Sequence, residues 1–126
     1  MVNTRKFMRS LGCAWNGVVI VFREEQNFRI EIIAGVAALI LALAMKFSPL
    51  EFCILILTIF AVLGAELANS LGERFIDVIH PRVSPVVGAI KDILAALVFV
   101  AAFASVLIGI VLFLPKIIER FIFAAL

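Results

Sequence analysis

The chain alternates between long apolar stretches and short stretches that carry charges or proline. Residues 93–114 contain no charged side chain, and these 22 residues would cross about 30 Å of hydrocarbon as an α-helix. A second apolar stretch covers residues 52–77 and has no charge in its first fourteen positions, and a shorter one covers residues 30–46. The pattern predicts an all-α membrane protein with three transmembrane helices, at about residues 30–46, 52–77 and 91–114.

Prolines and charges mark the predicted ends of these helices. We expect a turn over residues 46–51 around Pro49, a loop over residues 80–85 and an end to the third helix at Pro115. Residues 1–29 mix basic and apolar side chains, and Trp15 is typical of an interfacial anchor, so this region predicts an amphipathic helix lying at the membrane surface. Residues 115–126 are expected to form a short amphipathic tail. The whole chain, 1–126, is predicted to be one membrane-embedded domain.

Composition supports the membrane class and excludes others. Hydrophobic residues make up 65% of the 126 positions and charged residues only 16%, which excludes a water-soluble domain, a disordered tail and a nucleic-acid-binding domain. The net charge is +2. Five of the 11 lysines and arginines precede the first helix, and three more, Arg74, Arg82 and Lys91, lie in or beside the second loop. This bias predicts a cytoplasmic N-terminus and a cytoplasmic second loop.

Four polar side chains interrupt the second helix on one face. Glu66, Asn69, Glu73 and Asp77 fall within an arc of about 80° at helical spacing. An ionisable group at membrane depth is costly, so such a stripe is expected to face protein, water, cations or a substrate. Glu66 follows fourteen uncharged residues, which puts it near the cytoplasmic boundary of the hydrocarbon.

More charged residues are predicted at the same face of the membrane. Glu24, Glu25 and Glu31 belong to the cytoplasmic end of the first helix. Lys91 and Asp92 belong to the same end of the third helix. Acids from three segments thus converge at the cytoplasmic face of the membrane. A site there could join a substrate dissolved in the membrane to one dissolved in the cytosol.

The charges also suit phosphate and a divalent metal. Oxygen ligands without histidine or cysteine favour Mg²⁺ over zinc. The chain has no glycine-rich phosphate loop, but a metal held by carboxylates, together with Lys6, Arg9 and Lys91, would neutralise a triphosphate. Three helices are too few to enclose both a nucleotide and a lipid, so we expect a homo-oligomer with its site between subunits.

Small residues follow the opposite face of the second helix. Gly64, Ala68 and Gly72 recur at every fourth position. This spacing is typical of close packing against a neighbouring helix, and we expect such packing here.

Two other functions fit parts of the pattern. A small proton-coupled transporter would use Glu66 as a lone intramembrane acid, usually with an even number of spans. A non-catalytic assembly protein would explain the small-residue stripe but would leave the four polar positions without a purpose. Both remain alternatives to an enzyme on the residues alone.

Residues 66–77, E-L-A-N-S-L-G-E-R-F-I-D, resemble the signature E-x-x-N-[ST]-x-x-E-x-x-[VI]-D of the prokaryotic diacylglycerol kinase family, which includes the undecaprenol kinases. The segments W-N-G at 15–17, N-F-R at 27–29 and A-I-K-D at 89–92 extend the resemblance to nearly the whole chain. It implies a three-span lipid kinase of the bacterial inner membrane, working as a homotrimer with shared active sites. Such an enzyme uses ATP and Mg²⁺ to phosphorylate the primary hydroxyl of a lipid alcohol, either diacylglycerol or undecaprenol, and has no nucleic-acid partner.

The same resemblance implies roles for individual residues. Glu66 matches the general base of the family, and Glu25 and Glu73 match its metal-bridging, nucleotide-binding carboxylates. The remaining matches around the nucleotide are Lys6, Asp77, Lys91 and Asp92. Those expected to support the active site or to meet the lipid are Arg9, Trp15, Arg29, Glu31 and Asn69.

Overall fold

The computed structural model describes residues 3–79 and 84–124, which form a bundle of long helices. The helices are α1 (Thr4–Glu24), α2 (Gln26–Ala44), α3 (Pro49–Ile79) and α4 (Pro85–Ala124). By length and composition, α2, α3 and α4 can each cross a membrane. The predicted fold class, an all-α protein with three spans, is confirmed, and the chain is a multi-pass membrane protein. Most of the predicted loop, residues 80–83 including His80, lies outside the described residues.

Serine–proline pairs start α3 and α4. Ser48 Oγ accepts a hydrogen bond from the Glu51 N–H at 3.3 Å, and Glu51 Oε2 accepts one from the Ser48 N–H at 2.6 Å, which makes a capping box. Ser84 Oγ caps α4 by accepting from the Val87 N–H at 3.2 Å. A proline at the first helical position suits this arrangement, because its missing N–H would have no partner there. Both spans therefore begin earlier than the predicted positions 52 and 91.

The prediction that Pro115 ends the third span is wrong. Helix α4 continues through Pro115 to Ala124, so the expected separate tail of residues 115–126 is the last part of α4 as far as the structure describes it. A proline inside a helix removes one hydrogen bond, whereas ending the helix would leave several backbone groups without partners. In apolar surroundings the continued helix is the less costly choice.

A single extended residue separates α1 from α2. Glu25 has φ −97° and ψ 117°, so the first span begins at residue 26 rather than at 30. The Arg29 side chain makes this break possible, because its Nη1 donates to Phe22 O at 3.0 Å and to Arg23 O at 2.9 Å. These carbonyls lie in the last turn of α1 and have no partner within that helix. The predicted interfacial region, residues 1–29, therefore contains all of α1 and the first turn of α2.

Helix α2 ends in a Schellman motif with a lysine at its left-handed position. Lys46 has φ 54°. The Lys46 N–H donates to Leu43 O and the Phe47 N–H donates to Ala42 O, both at 3.1 Å. Glycine is the usual residue at such a position, because a side chain there costs about 1–2 kcal/mol.

Helix α3 is central and packs against both α2 and α4. At the end of the bundle where α2 finishes, Ala42, Leu55 and Leu112 form a buried core from all three spans. The rings of Phe47 and Phe113 lie against this core with their centroids 4.8 Å apart. This core fixes the spacing of the three helices at that end.

Small residues permit close helix contacts at only some of the predicted positions. A Cβ at Gly72 would lie 2.5 Å from Leu94 Cδ1 of α4, so the helices meet closely there, as the stripe predicts. A Cβ at Gly64 would meet no atom of the described chain within 4 Å, and Ala68 is exposed. The α2–α3 contact uses Gly35 instead, whose position is covered by Ile59.

Candidate active site

Glu66 lies on α3 with only 2% of its surface exposed. Its charged neighbours are Glu25 at the α1–α2 junction and Glu73 on α3. Glu31 of α2 is also close enough to interact electrostatically with Glu66. These four carboxylates come from three segments of the chain, and we call them the acidic cluster. Because like charges repel strongly in a buried region, the cluster is suited to binding a cation or a proton.

Arg74 and Ser70 hold Glu25 beside α3. Arg74 Nη2 lies 2.9 Å from Glu24 Oε2 and 3.6 Å from Glu25 Oε1. Arg74 Nε donates to Ser70 Oγ at 3.3 Å, and Ser70 Oγ donates to Glu25 Oε1 at 3.3 Å. Ser70 is 1% exposed, so this arrangement is built into the packing between the helices.

Two buried oxygen atoms of the site have no hydrogen-bond partner in the part of the chain that is described. They are Asn69 Oδ1 and Glu31 Oε2. The other end of the Asn69 amide is used, because Nδ2 donates to Glu73 Oε1 at 3.2 Å. A buried acceptor without a donor costs about 1–3 kcal/mol, so a ligand hydroxyl, a water molecule or a cation at these two atoms would be stabilised.

Lys91 and Asp77 connect α4 to the far end of the polar stripe. Lys91 Nζ lies 2.6 Å from Asp77 Oδ1. The Asp77 side chain is exposed and that of Lys91 is partly exposed, so the pair is accessible to a polar ligand from the aqueous side. Asp92 follows on the exposed surface of α4.

Several residues expected at the site are not brought to it within this single chain. Lys6, Arg9 and Trp15 lie exposed on α1, and within residues 3–79 and 84–120 no hydrogen bond or ion pair joins them to the acidic cluster. Arg29 is engaged in capping α1. Conversely, the sequence interpretation missed Ser70 and Arg74, although both stand within the 66–77 motif and Arg74 is the one basic residue between its acids.

An apolar groove leads to the acidic cluster. It lies between α2, α3 and α4, has a volume of about 280 Å³, and is lined mainly by small and aliphatic side chains. The hydroxyls of Thr58 and Ser105 line it too, but they donate to carbonyls of their own helices, at 2.8 and 2.7 Å. Glu31 is the charged residue of the lining and also belongs to the acidic cluster. The groove therefore suits a hydrocarbon chain whose polar end reaches Glu31.

Comparison with known proteins identifies relatives along most of the chain. Residues 12–113 match the sequence model described as prokaryotic diacylglycerol kinase. The chain is 34% identical to an undecaprenol kinase of Bacillus subtilis over 111 residues. This match covers 88% of this chain and 90% of that protein. Over 107 residues it is 32% identical to a diacylglycerol kinase of Synechocystis sp., covering 84% of this chain and 61% of that protein. The matched segment 12–113 contains the acidic cluster, the Asp77–Lys91 pair and all the residues that line the groove, whereas Lys6 and Arg9 precede it.

Proposed function

The chain belongs to the prokaryotic diacylglycerol kinase family, and on this premise we propose that it transfers the γ-phosphoryl group of ATP to the primary hydroxyl of a membrane lipid alcohol, with Glu66 as the general base. The family consists of lipid kinases, so the protein is an enzyme whose acceptor is dissolved in the membrane that its three helices cross. One observation carries the proposal: the apolar groove and the acidic cluster meet at Glu31.

The groove is assigned to the hydrocarbon part of the acceptor. Its lining is mainly apolar, and the hydroxyls of Thr58 and Ser105 already donate to carbonyls of their own helices, so neither has a proton left to donate to a ligand. A lipid lying in it presents its hydroxyl at Glu31, whose Oε2 has no partner in the described residues and is available to accept a hydrogen bond. The acceptor is thus oriented with its reactive end towards Glu66, and this positioning contributes to the rate.

Glu66 is assigned as the general base that accepts the proton of the lipid hydroxyl. A general base must lie within hydrogen-bond reach of the group that loses its proton, and Glu66 is the buried carboxylate beside the polar end of the groove. Its burial keeps water away from the reacting hydroxyl, which favours transfer to the lipid over hydrolysis. As the lipid oxygen attacks the γ-phosphorus and the bond to the leaving ADP breaks, Glu66 accepts the hydroxyl proton.

Glu25 and Glu73 are assigned to Mg²⁺. Their oxygen donors and the unpartnered Asn69 Oδ1 suit this ion, and in the described residues no three acidic, histidine or cysteine side chains enclose a metal by themselves. This fits an ion that typically takes one or two carboxylates and completes its coordination with substrate phosphates. When bound, the ion offsets the negative charge of the phosphates.

Lys91, Asp77 and Asp92 are assigned to the nucleotide, because they lie on the exposed surface beyond the acidic cluster. We assign this end of the bundle to the cytoplasm, where ATP is available, because most of the lysines and arginines belong to it, and we assign the protein to the bacterial inner membrane. Lys6 and Arg9 then reach the nucleotide from α1 of the same or a neighbouring subunit. A homotrimer with shared sites would let Lys6 and Arg9 of one subunit serve the site of another, because within residues 3–79 and 84–120 no hydrogen bond or ion pair joins them to the acidic cluster.

Undecaprenol is the acceptor that we favour. Similarity extends over 90% of the Bacillus undecaprenol kinase but over only 61% of the Synechocystis diacylglycerol kinase.

The test is phosphate transfer from γ-labelled ATP by the purified full chain in mixed micelles, with undecaprenol and diacylglycerol offered in parallel. We expect labelled undecaprenyl phosphate that requires Mg²⁺, is lost in Glu66→Gln, and persists in Glu119→Gln, which removes a carboxylate at the other end of the bundle. If labelled phosphatidic acid were the sole product, the acceptor would be diacylglycerol and not undecaprenol. The absence of product from both lipids would contradict the kinase proposal, and Glu66-dependent proton flux in vesicles would then favour the transporter.

A further inference from the structure

The end of the bundle opposite the acidic cluster contains a second concave polar site. Its pocket has a volume of about 460 Å³ and lies between the end of α2 and the last part of α4. Lys46, Lys116 and Arg120 line it, and they are the three basic residues of the chain that belong to this end. We call it the basic pocket. Residues far apart in the sequence thus bring all the positive charge of this membrane face to one place.

Two of the three cations are held in position by the fold. Arg120 Nη1 donates to Ala44 O at 3.1 Å, at the end of α2 where carbonyls have no helical partner. Lys116 Nζ lies 3.6 Å from Glu51 Oε1, and both side chains are 27% exposed. The pocket is therefore ordered by a backbone contact and by a partly buried ion pair.

Lys46 is the third cation, and its position costs stability. It occupies the left-handed position of the Schellman motif, where glycine would be unstrained. Within residues 3–79 and 84–120 no carboxylate lies within ion-pair distance of Lys46 or Arg120. Lys46 therefore strains the backbone and adds a positive charge that pairs with no carboxylate of the described residues. This combination indicates that the side chain binds a ligand rather than stabilises the turn.

We propose that the basic pocket binds the phosphate of an anionic phospholipid headgroup in the leaflet at this end of the bundle. Three cations outnumber Glu51, which pairs with Lys116, and Glu119 at the rim, so the pocket keeps a net positive charge suited to a phosphate diester. Basic side chains gathered near a membrane surface attract anionic lipid headgroups. The pocket lies where two spans leave the membrane, and Ala44 and Met45 in its lining can contact the glycerol backbone and chains, which favours a lipid over a soluble phosphate. This binding is independent of phosphoryl transfer.

The test is retention of lipid by the full chain, purified in detergent with equal amounts of phosphatidylglycerol and phosphatidylcholine, and measured by native mass spectrometry. We expect selective retention of phosphatidylglycerol by the wild type and retention weakened by about fivefold in Lys46→Gly and in Lys46→Asn. Asparagine tolerates the left-handed backbone, so the second variant removes the charge with little change in the fold. Glu119→Gln, which removes a carboxylate from the lining of the same pocket and leaves its three cations in place, serves as the matched control and is expected to retain the lipid at least as well as the wild type does.

Thermal unfolding adds a second readout. Added phosphatidylglycerol should raise the Tm of the wild type, whereas Lys46→Gly should begin with a higher Tm and respond less to the lipid. Unchanged retention in both Lys46 variants, or an equal loss in Glu119→Gln, would overturn the proposal. Displacement of the lipid by soluble glycerophosphate would show that the pocket binds a soluble phosphate rather than a phospholipid.

Discussion

Ser70 Oγ donates a hydrogen bond to Glu25 Oε1 at 3.3 Å and so joins the middle of α3 to the one extended residue between α1 and α2. Arg74 supports the same carboxylate, with its Nη2 3.6 Å from Glu25 Oε1 and its Nε bonded to Ser70 Oγ. The Glu25 N–H donates to Val21 O at 2.8 Å and ties its backbone to the end of α1, whereas Ser70 and Arg74 hold its carboxylate beside α3. They position a carboxylate that we assign to Mg²⁺.

Ser70→Ala should therefore weaken the use of Mg²⁺ more than the binding of lipid. The lost hydrogen bond is worth about 1 kcal/mol, which corresponds to about a fivefold rise in the Mg²⁺ concentration for half-maximal activity. The measurement is a Mg²⁺ titration of the initial rate at saturating ATP and lipid. Ser10→Ala is the control, because Ser10 donates only to Lys6 O on the exposed α1. An unchanged Mg²⁺ requirement in Ser70→Ala would show that Glu25 does not depend on Ser70.

Lys91→Met should impair nucleotide binding and change stability little. The Lys91–Asp77 pair is open to solvent, with Asp77 62% and Lys91 38% exposed, and surface pairs contribute about 0–1 kcal/mol to the free energy of unfolding. A charged hydrogen bond to a phosphate is worth about 1.5–3 kcal/mol, so the KM for ATP should rise by about tenfold or more. Steady-state kinetics and thermal unfolding on the same preparation separate the two effects. Lys91→Arg keeps the charge and should retain most of the affinity, and a large loss of stability with a normal KM would make Lys91 a structural residue instead.

Helical periodicity and charge placement were enough to predict the class of the fold and the gathering of polar residues. The apolar lengths gave three spans, and the spacing of Asn69 and Glu73 put them on one face of α3, where they are hydrogen-bonded. The boundaries were predicted less well. Ser48 and Ser84, each followed by proline, are N-cap signals that the interpretation took for turns, and Pro115 was taken for a helix end although helices in apolar surroundings tolerate proline.

Other features depend on tertiary contacts that a linear pattern does not contain. The groove requires α2, α3 and α4 to diverge between the Ala42 core and the Gly72 contact, and no single helix encodes that shape. The capping of α1 by Arg29 joins two helices across a break that charge patterning does not reveal. The left-handed Lys46 has no local sequence signal either, since glycine is the residue that normally marks such a position.

Filling the groove should raise the KM for the lipid and leave the KM for ATP unchanged. Gly109 lines the groove, and a Cβ there would meet no atom of the described chain within 4 Å, so Gly109→Leu projects into space intended for the acceptor. Ala104→Leu on the same helix is the control, because Ala104 is exposed and does not line the groove. Lipid and ATP titrations of both variants make the comparison. Equal lipid KM values in the two variants would place the acceptor elsewhere.

Lys46→Gly should stabilise the protein in the absence of anionic lipid. Removing the side chain from a left-handed position relieves about 1 kcal/mol of strain. Lys46→Ala keeps the Cβ and so serves as the control, with the charge lost but no gain in stability expected. The free energy of unfolding in detergent of fixed composition is the measurement. A glycine variant no more stable than the alanine variant would mean that the backbone at Lys46 is not strained.

The central claim is that Glu66 accepts the proton of the lipid hydroxyl, and the most direct measurement is kcat for Glu66→Gln beside Glu66→Asp at saturating ATP, Mg²⁺ and lipid. Glutamine keeps the shape but not the basicity, so kcat should fall by about 10²- to 10⁴-fold, while nucleotide binding, followed separately, stays close to that of the wild type. Aspartate keeps a carboxylate at a greater distance and should retain intermediate activity. A Glu66→Gln enzyme that turns over at nearly the wild-type rate would contradict the assignment.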